Sequence, residues 1–362
     1  DDRGQLAARG RLARACRGPG WGGRLGFGFL PDWAWEEQMN DVYFLVTEER
    51  VVSARREKSA WQEIGTTRLS IPATCVSAAG SQILVGTREG ILRSEDLGQT
   101  WRPTNHGLEV THLRWLVHHP EYPSFVFAGT EPATIHASRD GGDSWQERPE
   151  VAELRDANGW YLPYSPRAGC VRGFAFHGER GYAAVEQGGL LRSDDRGESW
   201  GHVEGSLADP REDLPEGFVH PDVHSVVCHP RSRDLVFAPT GGGFYRSEDG
   251  GASWEELYDC YCRAVWADPR DPQHLILGPA DGVSKNGRIE ESIDGGKSWR
   301  PASLGLEVPW PKHMVERFVD DETRLLAVLS NGEVLWTSLE AISWQPMLEQ
   351  AAGVKALAVV HA

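Results

Sequence analysis

The amino-acid sequence predicts an all-β protein, a seven-bladed β-propeller built from four-stranded antiparallel blades. The motif Ser-x-Asp-x-Gly-x-x-Trp occurs five times, and two degenerate copies flank the five, so that seven tryptophans recur every 40 to 55 residues. Repeats of that period are typical of solenoids and propellers. A strand–turn–strand pattern precedes several copies, and one apolar strand stands alone near the carboxyl end. The seven tryptophans are Trp61, Trp101, Trp145, Trp200, Trp254, Trp299 and Trp344.

The motif has the composition of a tight turn between two strands. Its Asp carboxylate can accept hydrogen bonds from the N–H groups of the turn. Its Gly tolerates the positive φ that such a turn requires, and its Trp opens the next strand with a large ring to bury. We therefore expect the motif aspartates to stabilise turns rather than to catalyse or bind a metal. The complete copies begin at Ser94, Ser138, Ser193, Ser247 and Ser292.

A second repeat supplies the first two strands of a blade. Residues 116–130, 226–240 and 265–279 each show an apolar strand, a His-Pro or Asp-Pro turn and another apolar strand. Proline ends the first strand because it cannot donate to the ladder. A third strand leads into the motif and the Trp opens a fourth, which gives four-stranded blades. Blades 2 to 7 are predicted at residues 67–105, 108–149, 169–204, 221–258, 261–302 and 312–347.

The two ends of the propeller sequence are predicted to share one blade. Residues 41–46, 51–55 and 61–64 supply only three strands, and residues 354–361 supply one strand of the innermost type. Pairing these segments completes the ring and leaves no sheet edge open between the first and last blades.

The motif and its period resemble the Asp-box, or bacterial neuraminidase repeat, of β-propellers such as sialidases, xyloglucanases, sortilin-type receptors and photosystem assembly factors. The resemblance covers about residues 41–362. It implies the propeller fold, with the boxes on outer turns of the blades and away from the ligand face. It implies no single function, because proteins with this repeat do unrelated things.

Composition excludes some partners. A net charge of −16 argues against nucleic acid or an anionic membrane as a partner, and no apolar run is long enough to span a membrane. The six cysteines lack the spacing of a disulfide framework or a zinc ribbon. We therefore expect reduced thiols in a soluble, monomeric, cytoplasmic protein of bacterial type.

Residues 1–38 do not follow the strand pattern. They are rich in Gly and Arg, and Met39 directly precedes the first predicted strand. We interpret residues 1–38 as a non-propeller extension lying upstream of a native start at Met39. A functional basic arm is the alternative. The propeller is then residues 39–362.

Four residues of the innermost strands form a candidate anion site. When blades 3 to 6 are aligned on the proline turn, these residues occupy one equivalent position near the mouth of the central channel. Guanidinium forks suit carboxylate, sulfate or phosphate groups. The alternative is that each arginine pairs with an acidic neighbour, such as Asp222 or Glu316, and merely closes the channel. The four residues are Arg114, Arg172, His224 and Arg263.

Two insertions lengthen the connections into blades 4 and 5, at residues 150–169 and 205–222. Long connections in a compact domain are usually functional or disordered. Trp160 and Tyr161 in the first insertion are therefore candidate ligand-binding residues that could wall a small ligand or sugar. The alternative is that both insertions pack over the rim of the propeller.

The resemblance to sialidases implies a catalytic set of three arginines, a Tyr–Glu nucleophile and an Asp acid/base. This sequence departs from that pattern, because it predicts seven blades rather than six and assigns no Tyr–Glu pair. Arg68 is also displaced from the Arg-Ile-Pro signature of that family. The chemistry needs two carboxyl groups at a defined separation. The candidate catalytic residues are His224, Asp222, Glu186 and Tyr161.

A divalent metal is a further alternative, although we predict no cofactor. His220, Asp222 and His224 stand close together in the sequence and offer the imidazole and carboxylate groups that suit zinc, iron or manganese. His112 and His313 could join them from other inner strands. A histidine on a strand is more often structural.

The sequence thus predicts a soluble propeller that binds a small anionic molecule, a carbohydrate or another protein at the channel face. Two alternatives from other classes stay open. One is a hydrolase at the same face, either glycosidase-like or a metal-assisted esterase. The other is a structural assembly scaffold, in which the arginines would pair internally.

Overall fold

The computed structural model describes residues 41–57, 60–165, 168–206, 213–348 and 352–361. The predicted extension, residues 1–38, lies outside the described residues. Within them the chain forms seven four-stranded antiparallel sheets arranged as a ring of blades. The predicted fold class, a seven-bladed β-propeller, is confirmed.

The first four blades follow the predicted spacing. Blade 1 begins with β1 (Val42–Thr47), β2 (Arg50–Glu57) and β3 (Ala60–Arg68). Blade 2 contains β4 (Ala73–Ala79), β5 (Gln82–Thr87), β6 (Gly90–Ser94) and β7 (Arg102–Pro103). Blade 3 contains β8 (Leu113–His118), β9 (Val126–Thr130), β10 (Ile135–Ser138) and β11 (Gln146–Glu147), and helix α1 (Pro149–Asn158) follows it. Blade 4 contains β12 (Cys170–His177), β13 (Arg180–Glu186), β14 (Gly189–Ser193) and β15 (Gly201–His202).

The remaining blades complete the ring, after a short 3-10 helix at Glu204–Ser206. Blade 5 contains β16 (Val227–Cys228), β17 (Val236–Thr240), β18 (Gly243–Ser247) and β19 (Glu255–Tyr258). Blade 6 contains β20 (Tyr261–Ala267), β21 (Leu275–Ala280), β22 (Glu290–Ser292) and β23 (Arg300–Pro301). Blade 7 contains β24 (Val315–Asp320), β25 (Arg324–Leu329), β26 (Val334–Ser338) and β27 (Gln345–Pro346). The last strand, β28 (Val354–Val360), returns to blade 1.

Blade 1 closes the ring by pairing the two ends of the propeller, as the sequence predicts. Strand β28 runs antiparallel to β1, from Val42 opposite Val360 to Thr47 opposite Val354, and the strand order is β28-β1-β2-β3. Every residue of β1 is buried. The hydroxyl of Tyr43 donates to Asp321 of blade 7 over 2.5 Å, so a buried polar contact ties the closing blade to its neighbour.

The hydrophobic core repeats between adjacent blades. Phe127 of blade 3 lies against Phe176 of blade 4, with stacked rings 4.8 Å apart, and meets the motif Trp200 edge-on at 6.2 Å. Each motif tryptophan thus packs in the hydrophobic core between two adjacent blades, as expected for so large an apolar side chain. The interface excludes even one added carbon, because a Cβ at Gly197 would lie 2.2 Å from Phe127.

The five repeated motifs form the same turn between the third and fourth strands. In blade 5, Ser247 donates to Asp249 over 2.8 Å and accepts the N–H of Gly251 over 2.8 Å. Asp249 also accepts the N–H and hydroxyl of Ser253 over 2.9 and 2.6 Å. Gly251 has a φ of +94°. The other four copies repeat these serine and aspartate bonds, so the predicted structural role of the motif holds.

The innermost strands share an irregularity that positions the channel residues. In six blades the innermost strand has one residue more than the strand with which it pairs, and this β-bulge lies at an equivalent position in each blade. In blade 5 one extra residue falls between Val223, opposite Thr240, and Val227, opposite Phe237. Bulges re-aim side chains. The residues at the six bulges are Thr74, Arg114, Arg172, Arg263, Glu316 and Lys355.

Helix α1 occupies part of the insertion at residues 150–169, where the sequence predicts only a long connection. Pro149 sits at its first position and Gly159, with a φ of +60°, ends it in the left-handed conformation, which is the usual placing of these two residue types. Val151 is the one buried helix residue. Without an apolar stripe the helix has no periodic signal in the sequence.

No helix among the described residues is long and apolar enough to cross a membrane. The cysteines in the described ranges are free thiols, namely Cys75, Cys170, Cys228, Cys260 and Cys262.

We predict that deleting residues 354–361 prevents stable folding. The deletion removes the partner of β1 and exposes the edge of a fully buried strand. A chain ending at residue 353 should aggregate, or lose its cooperative transition in thermal unfolding monitored by circular dichroism. A peptide of residues 352–362 added in trans should restore part of that transition. A truncated protein that melts like the full chain would contradict the closure assignment.

We predict that Asp249→Ala lowers the free energy of unfolding by about 1–3 kcal/mol, because the turn loses its acceptor. Asp259→Ala provides the control, since Asp259 is an exposed aspartate just after the same blade; this change should have almost no effect. Urea denaturation of both variants measures the difference. Equal stability of the two variants would show that the turn hydrogen bonds contribute nothing.

Candidate functional site

A cavity of about 350 Å³ opens at the mouth of the channel. All six bulge residues named above line it, so the bulges turn one side chain from each of six blades toward a common space. The lining is strongly charged and carries an excess of positive charge within an acidic chain. Its cations are Arg88, Arg114, Arg172, Arg263, Arg317 and Lys355, and its carboxylates are Glu48, Glu186 and Glu316.

Arg114 lies on the cavity wall and pairs with a carboxylate behind it. Its Nη1 is 2.9 Å from Oε2 of Glu131, which is almost fully buried. The other oxygen of Glu131 accepts the hydroxyl of Ser165 over 2.7 Å. Glu131 also lies 4.0 Å from Nδ1 of His112. His112, one of the candidate metal ligands, is therefore next to the ion pair of Arg114 and Glu131.

Arg172 and Glu186 form a buried ion pair within blade 4. Nη1 of Arg172 is 2.8 Å from Oε2 of Glu186, and the Tyr164 hydroxyl donates to Oε1 over 2.7 Å. Burial acts to raise the pKa of Glu186, but the Arg172 charge and the Tyr164 hydrogen bond outweigh it and lower that pKa to about 2. Nη2 of Arg172 reaches 3.8 Å from Glu316 of blade 7. Glu186 is therefore ionised at neutral pH.

Arg263 pairs with Glu316, one of the two acidic partners proposed from the sequence. Its Nη1 is 2.6 Å from Oε1 of Glu316. Its Nε and Nη2 both donate to the hydroxyl of Tyr261, over 3.0 and 2.8 Å. Glu316 thus balances Arg263 directly and also approaches Arg172, whose own partner is Glu186.

Arg317 differs from the other lining arginines. Its guanidinium lies over the Trp115 ring, 4.5 Å from the centroid, and this contact joins blade 7 to blade 3 across the channel. Its Nε is buried without a hydrogen-bond partner, and no ion pair of the described residues includes it. Burial lowers the pKa of Arg317 to about 10, so the side chain is still a cation at pH 7.

His224 lies behind the cavity wall rather than on it. Its side chain is 1% exposed, Nδ1 is 2.8 Å from the carbonyl of Cys262, and Nε2 is 3.2 Å from Oδ2 of Asp222. Burial acts to raise the pKa of Asp222, but contact with His224 outweighs it, so that pKa is lowered. Ligand atoms of Glu186, Asp222 and His224 all lie within 4.8 Å of one another, and the three could together hold a metal ion.

The other predicted site residues lie elsewhere. His220 uses Nδ1 to accept the N–H of Asp222 over 3.2 Å and does not belong to the metal-capable group. Trp160 is 7% exposed in the core of blade 4, where it packs against His202. Tyr161 is 51% exposed and is not among the cavity-lining residues. His313 stacks on Trp310, 5.0 Å between centroids.

Sequence reasoning missed several contributions to the cavity, among them those of blade 7 and of Tyr164. Arg317 and the bulge position of Glu316 fall in blade 7, which has no His-Pro or Asp-Pro turn on which to align it. Tyr164 was within the first insertion, but only the structure joins its hydroxyl to Glu186. An alignment of the innermost strands themselves, MVERFVD against HLRWLVH, places Glu316 at the position of Arg114 and contains the missing signal.

Comparison with known proteins shows the fold but no family. No family model matches this sequence, and no curated protein does. An ancestral GH74 enzyme matches with a TM-score of 0.56 and 16% identity. The match covers 79% of this chain but only 38% of that enzyme. YCF48 bound to a D1 peptide gives a TM-score of 0.55 at 14% identity, covering 80% of this chain and 86% of its own. YCF48 from Cyanidioschyzon merolae matches with a TM-score of 0.53 at 13% identity. This match covers 83% of this chain and 96% of that protein.

These likenesses place the chain among seven-bladed β-propellers. Identities of 13–16% show the shared architecture alone, and the matched proteins include an enzyme and a peptide-bound protein. The function of this chain must therefore be argued from its own site.

We predict that Glu186→Gln destabilises the protein at pH 7 by on the order of 3 kcal/mol, because it leaves the Arg172 cation buried without its partner. Since folding lowers the pKa of Glu186 from 4.5 to about 2, the stabilisation is complete above about pH 4.5 and is lost as the pH falls toward 2. The stability gap between wild type and variant should therefore shrink over that range. Urea denaturation at a series of pH values measures the gap.

The control for this experiment is Glu179→Gln, which breaks an exposed pair with Arg196 and should cost less than about 1 kcal/mol. A gap between wild type and Glu186→Gln that stays constant or widens on acidification would contradict the proposed ionisation of Glu186.

Proposed function

We propose that this propeller binds a small anionic ligand, through a carboxylate or a similar oxyanion, in the cavity at the mouth of its channel. The observation that carries the proposal is Arg317, a cation without an ion-pair partner among the described residues, placed in a cavity whose lining already has more cations than carboxylates. A second lining arginine, Arg88, is also without an ion pair in that part of the chain. An anion would compensate Arg317, and the exposed Arg88 is near enough to the same cavity to contribute its charge.

The scaffold alternative explains only part of this arrangement. Arg114, Arg172 and Arg263 do pair with carboxylates, as an internally closed channel requires. Closing the channel in this way leaves Arg317 with only the face of the Trp115 ring as a partner. Its Nε stays unsatisfied and it has no ion pair among the described residues, which is costly for a charge removed from water. A ligand that supplies the missing negative charge removes that cost.

The size and surface of the cavity favour a small molecule. About 350 Å³ lies at the lower end of the range for ligand pockets. Trp115 presents an apolar ring beside Arg317, and Thr74 and Ser330 supply hydroxyl groups to the lining. Planar guanidinium groups match the two oxygens of a carboxylate. We therefore rank small carboxylates first among the candidate ligands.

The five repeated turns support a finer family assignment. We infer that they are Asp-boxes, because each combines a serine, an aspartate and a left-handed glycine in one hydrogen-bonded turn. The turns join the third and fourth strands of the blades, whereas the cavity is built from the innermost strands. This separation supports a structural role for the boxes in the propeller and a ligand-binding role for the channel mouth.

A hydrolase acting in the same cavity is the second candidate. The observation that favours it is the contact between Tyr164 and Glu186 beside three arginines. We rank it lower because burial and the Glu186 charge raise the pKa of Tyr164, which opposes its use as a nucleophile. Hydrolysis of fluorogenic glycosides that is lost in Tyr164→Phe would reverse this ranking.

We predict that Arg317→Gln weakens binding of a carboxylate probe by at least tenfold, which corresponds to the loss of about 1.5–3 kcal/mol for a charged hydrogen bond. Isothermal titration calorimetry with citrate, acetate, sulfate and inorganic phosphate, on protein dialysed against a chelator, measures the affinities. Arg300→Gln makes the same charge change on the outer strand β23, where Arg300 pairs with Glu291, and should leave affinity unchanged. Failure of all four probes to bind wild type, or equal binding by both variants, would contradict the proposal.

A further inference from the structure

The group formed by Glu186, Asp222 and His224 lies at a junction between two blades. Glu186 ends β13 of blade 4, and the other two residues lie on the connection that enters blade 5. One ligand atom from each residue falls within 4.8 Å of the other two. The sequence suggests two of these three as metal ligands, but it offers His220 as the third. In the structure Nδ1 of His220 instead accepts the N–H of Asp222, and His220 does not belong to the group.

The hydrogen bonds of His224 fix which nitrogen faces the group. Nδ1 is 2.8 Å from the carbonyl oxygen of Cys262, which can only accept, so Nδ1 carries a proton and donates it. In a neutral ring Nε2 then bears the lone pair. Nε2 lies 3.2 Å from Oδ2 of Asp222. Because two lone pairs repel at that distance, this arrangement requires a proton or a cation between the two atoms. The Tyr261 hydroxyl lies 3.4 Å from the same nitrogen. A backbone acceptor on one nitrogen is the usual way in which proteins orient a histidine for metal binding through the other.

Asp222 has an oxygen that the protein leaves unsatisfied. Its Oδ1 is buried without any hydrogen-bond partner in the structure, while Oδ2 faces the imidazole. Buried carboxylate oxygens almost always have a donor or a cation. The backbone makes room for this carboxylate, because a Cβ at Gly241 would lie 2.2 Å from Oδ2. Gly241, in the turn between β17 and β18, therefore leaves the space that the Asp222 carboxylate occupies.

Glu186 can contribute to an ion while keeping its present contacts. Arg172 and Tyr164 each engage one of its oxygens, and an ionised carboxylate offers about four lone-pair sites. Arg172 also approaches Glu316. Among the described residues, the only basic side chain in contact with the Asp222 carboxylate is His224.

From these contacts we infer that Glu186, Asp222 and His224 form a binding site for a divalent transition metal, with Zn²⁺ or Mn²⁺ as the ions that suit one imidazole and two carboxylates. The ion satisfies the orphaned oxygen of Asp222 and uses the lone pair that the Cys262 carbonyl leaves on Nε2 of His224. This inference does not depend on the proposed anion site, although Glu186 lies in the wall of that cavity.

The direct test is metal binding by protein freed of metal with a chelator. Isothermal titration calorimetry with Zn²⁺, and separately with Mn²⁺, should show one equivalent bound to wild type for at least one of the two ions. That ion should raise the melting temperature, since it binds the folded state. Asp222→Asn keeps the shape of the side chain and should weaken the affinity at least tenfold. His106→Gln removes an exposed histidine far from the group in sequence and should bind like wild type.

Three results would overturn the inference. They are binding of neither ion to wild type, equal affinity in wild type and Asp222→Asn, or an equal loss in His106→Gln. If Asp222→Asn fails to fold, X-ray absorption at the Zn edge of the loaded wild type decides the matter. The site requires a shell of nitrogen and oxygen only, whereas a sulfur neighbour would assign the metal to cysteine instead.

Discussion

Closure of the ring is the constraint on which the rest of the structure depends. Seven blades stack around a channel only if the first and last sheets meet, and here β28 and β1 share one sheet to achieve this. The closing blade is tied sideways by Tyr43, which reaches Asp321 in blade 7. Because the innermost strand of blade 1 comes from the far end of the chain, the channel lining is complete only when both ends are in place. Lys355, one of the lining cations, lies on that strand.

The bulges convert this scaffold into a site. A regular strand would alternate its side chains between the two faces of the blade, whereas one extra residue at the same register turns a side chain toward the axis. Repetition then places unlike residues at equivalent positions around one space. At the bulge position three blades carry Arg and only one carries Glu. The cavity is therefore locally positive although the net charge of the whole chain is −16.

Much of the fold could be predicted because the chain repeats. The motif fixes the turn into each fourth strand, and the spacing of Trp61 and Trp344 from the complete copies reveals blades 1 and 7. The position of Arg114, Arg172 and Arg263 on bulged inner strands also follows from aligning the blades. Helix α1 has no periodic apolar face and left no pattern to detect.

The contacts that define the site were beyond the sequence for a different reason. Arg317 meets Trp115, and Arg172 approaches Glu316, between blades that are far apart in the chain and meet only across the channel. Whether an arginine there is paired or free depends on side-chain directions set by the packing of all seven blades. The sequence supplied both alternatives for Arg114, Arg172 and Arg263, and the structure shows all three paired. Arg317, which the sequence did not single out, has no ion pair among the described residues.

The central claim is that the channel mouth retains uncompensated positive charge and is occupied by an anion. A crystal structure of the full chain soaked in selenate tests it most directly, because the anomalous signal of selenium distinguishes the oxyanion from water. The account predicts a selenium peak inside the cavity, within hydrogen-bond distance of Arg317 and another lining arginine. Selenate bound only at outer surfaces, with the cavity filled by water alone, would contradict it.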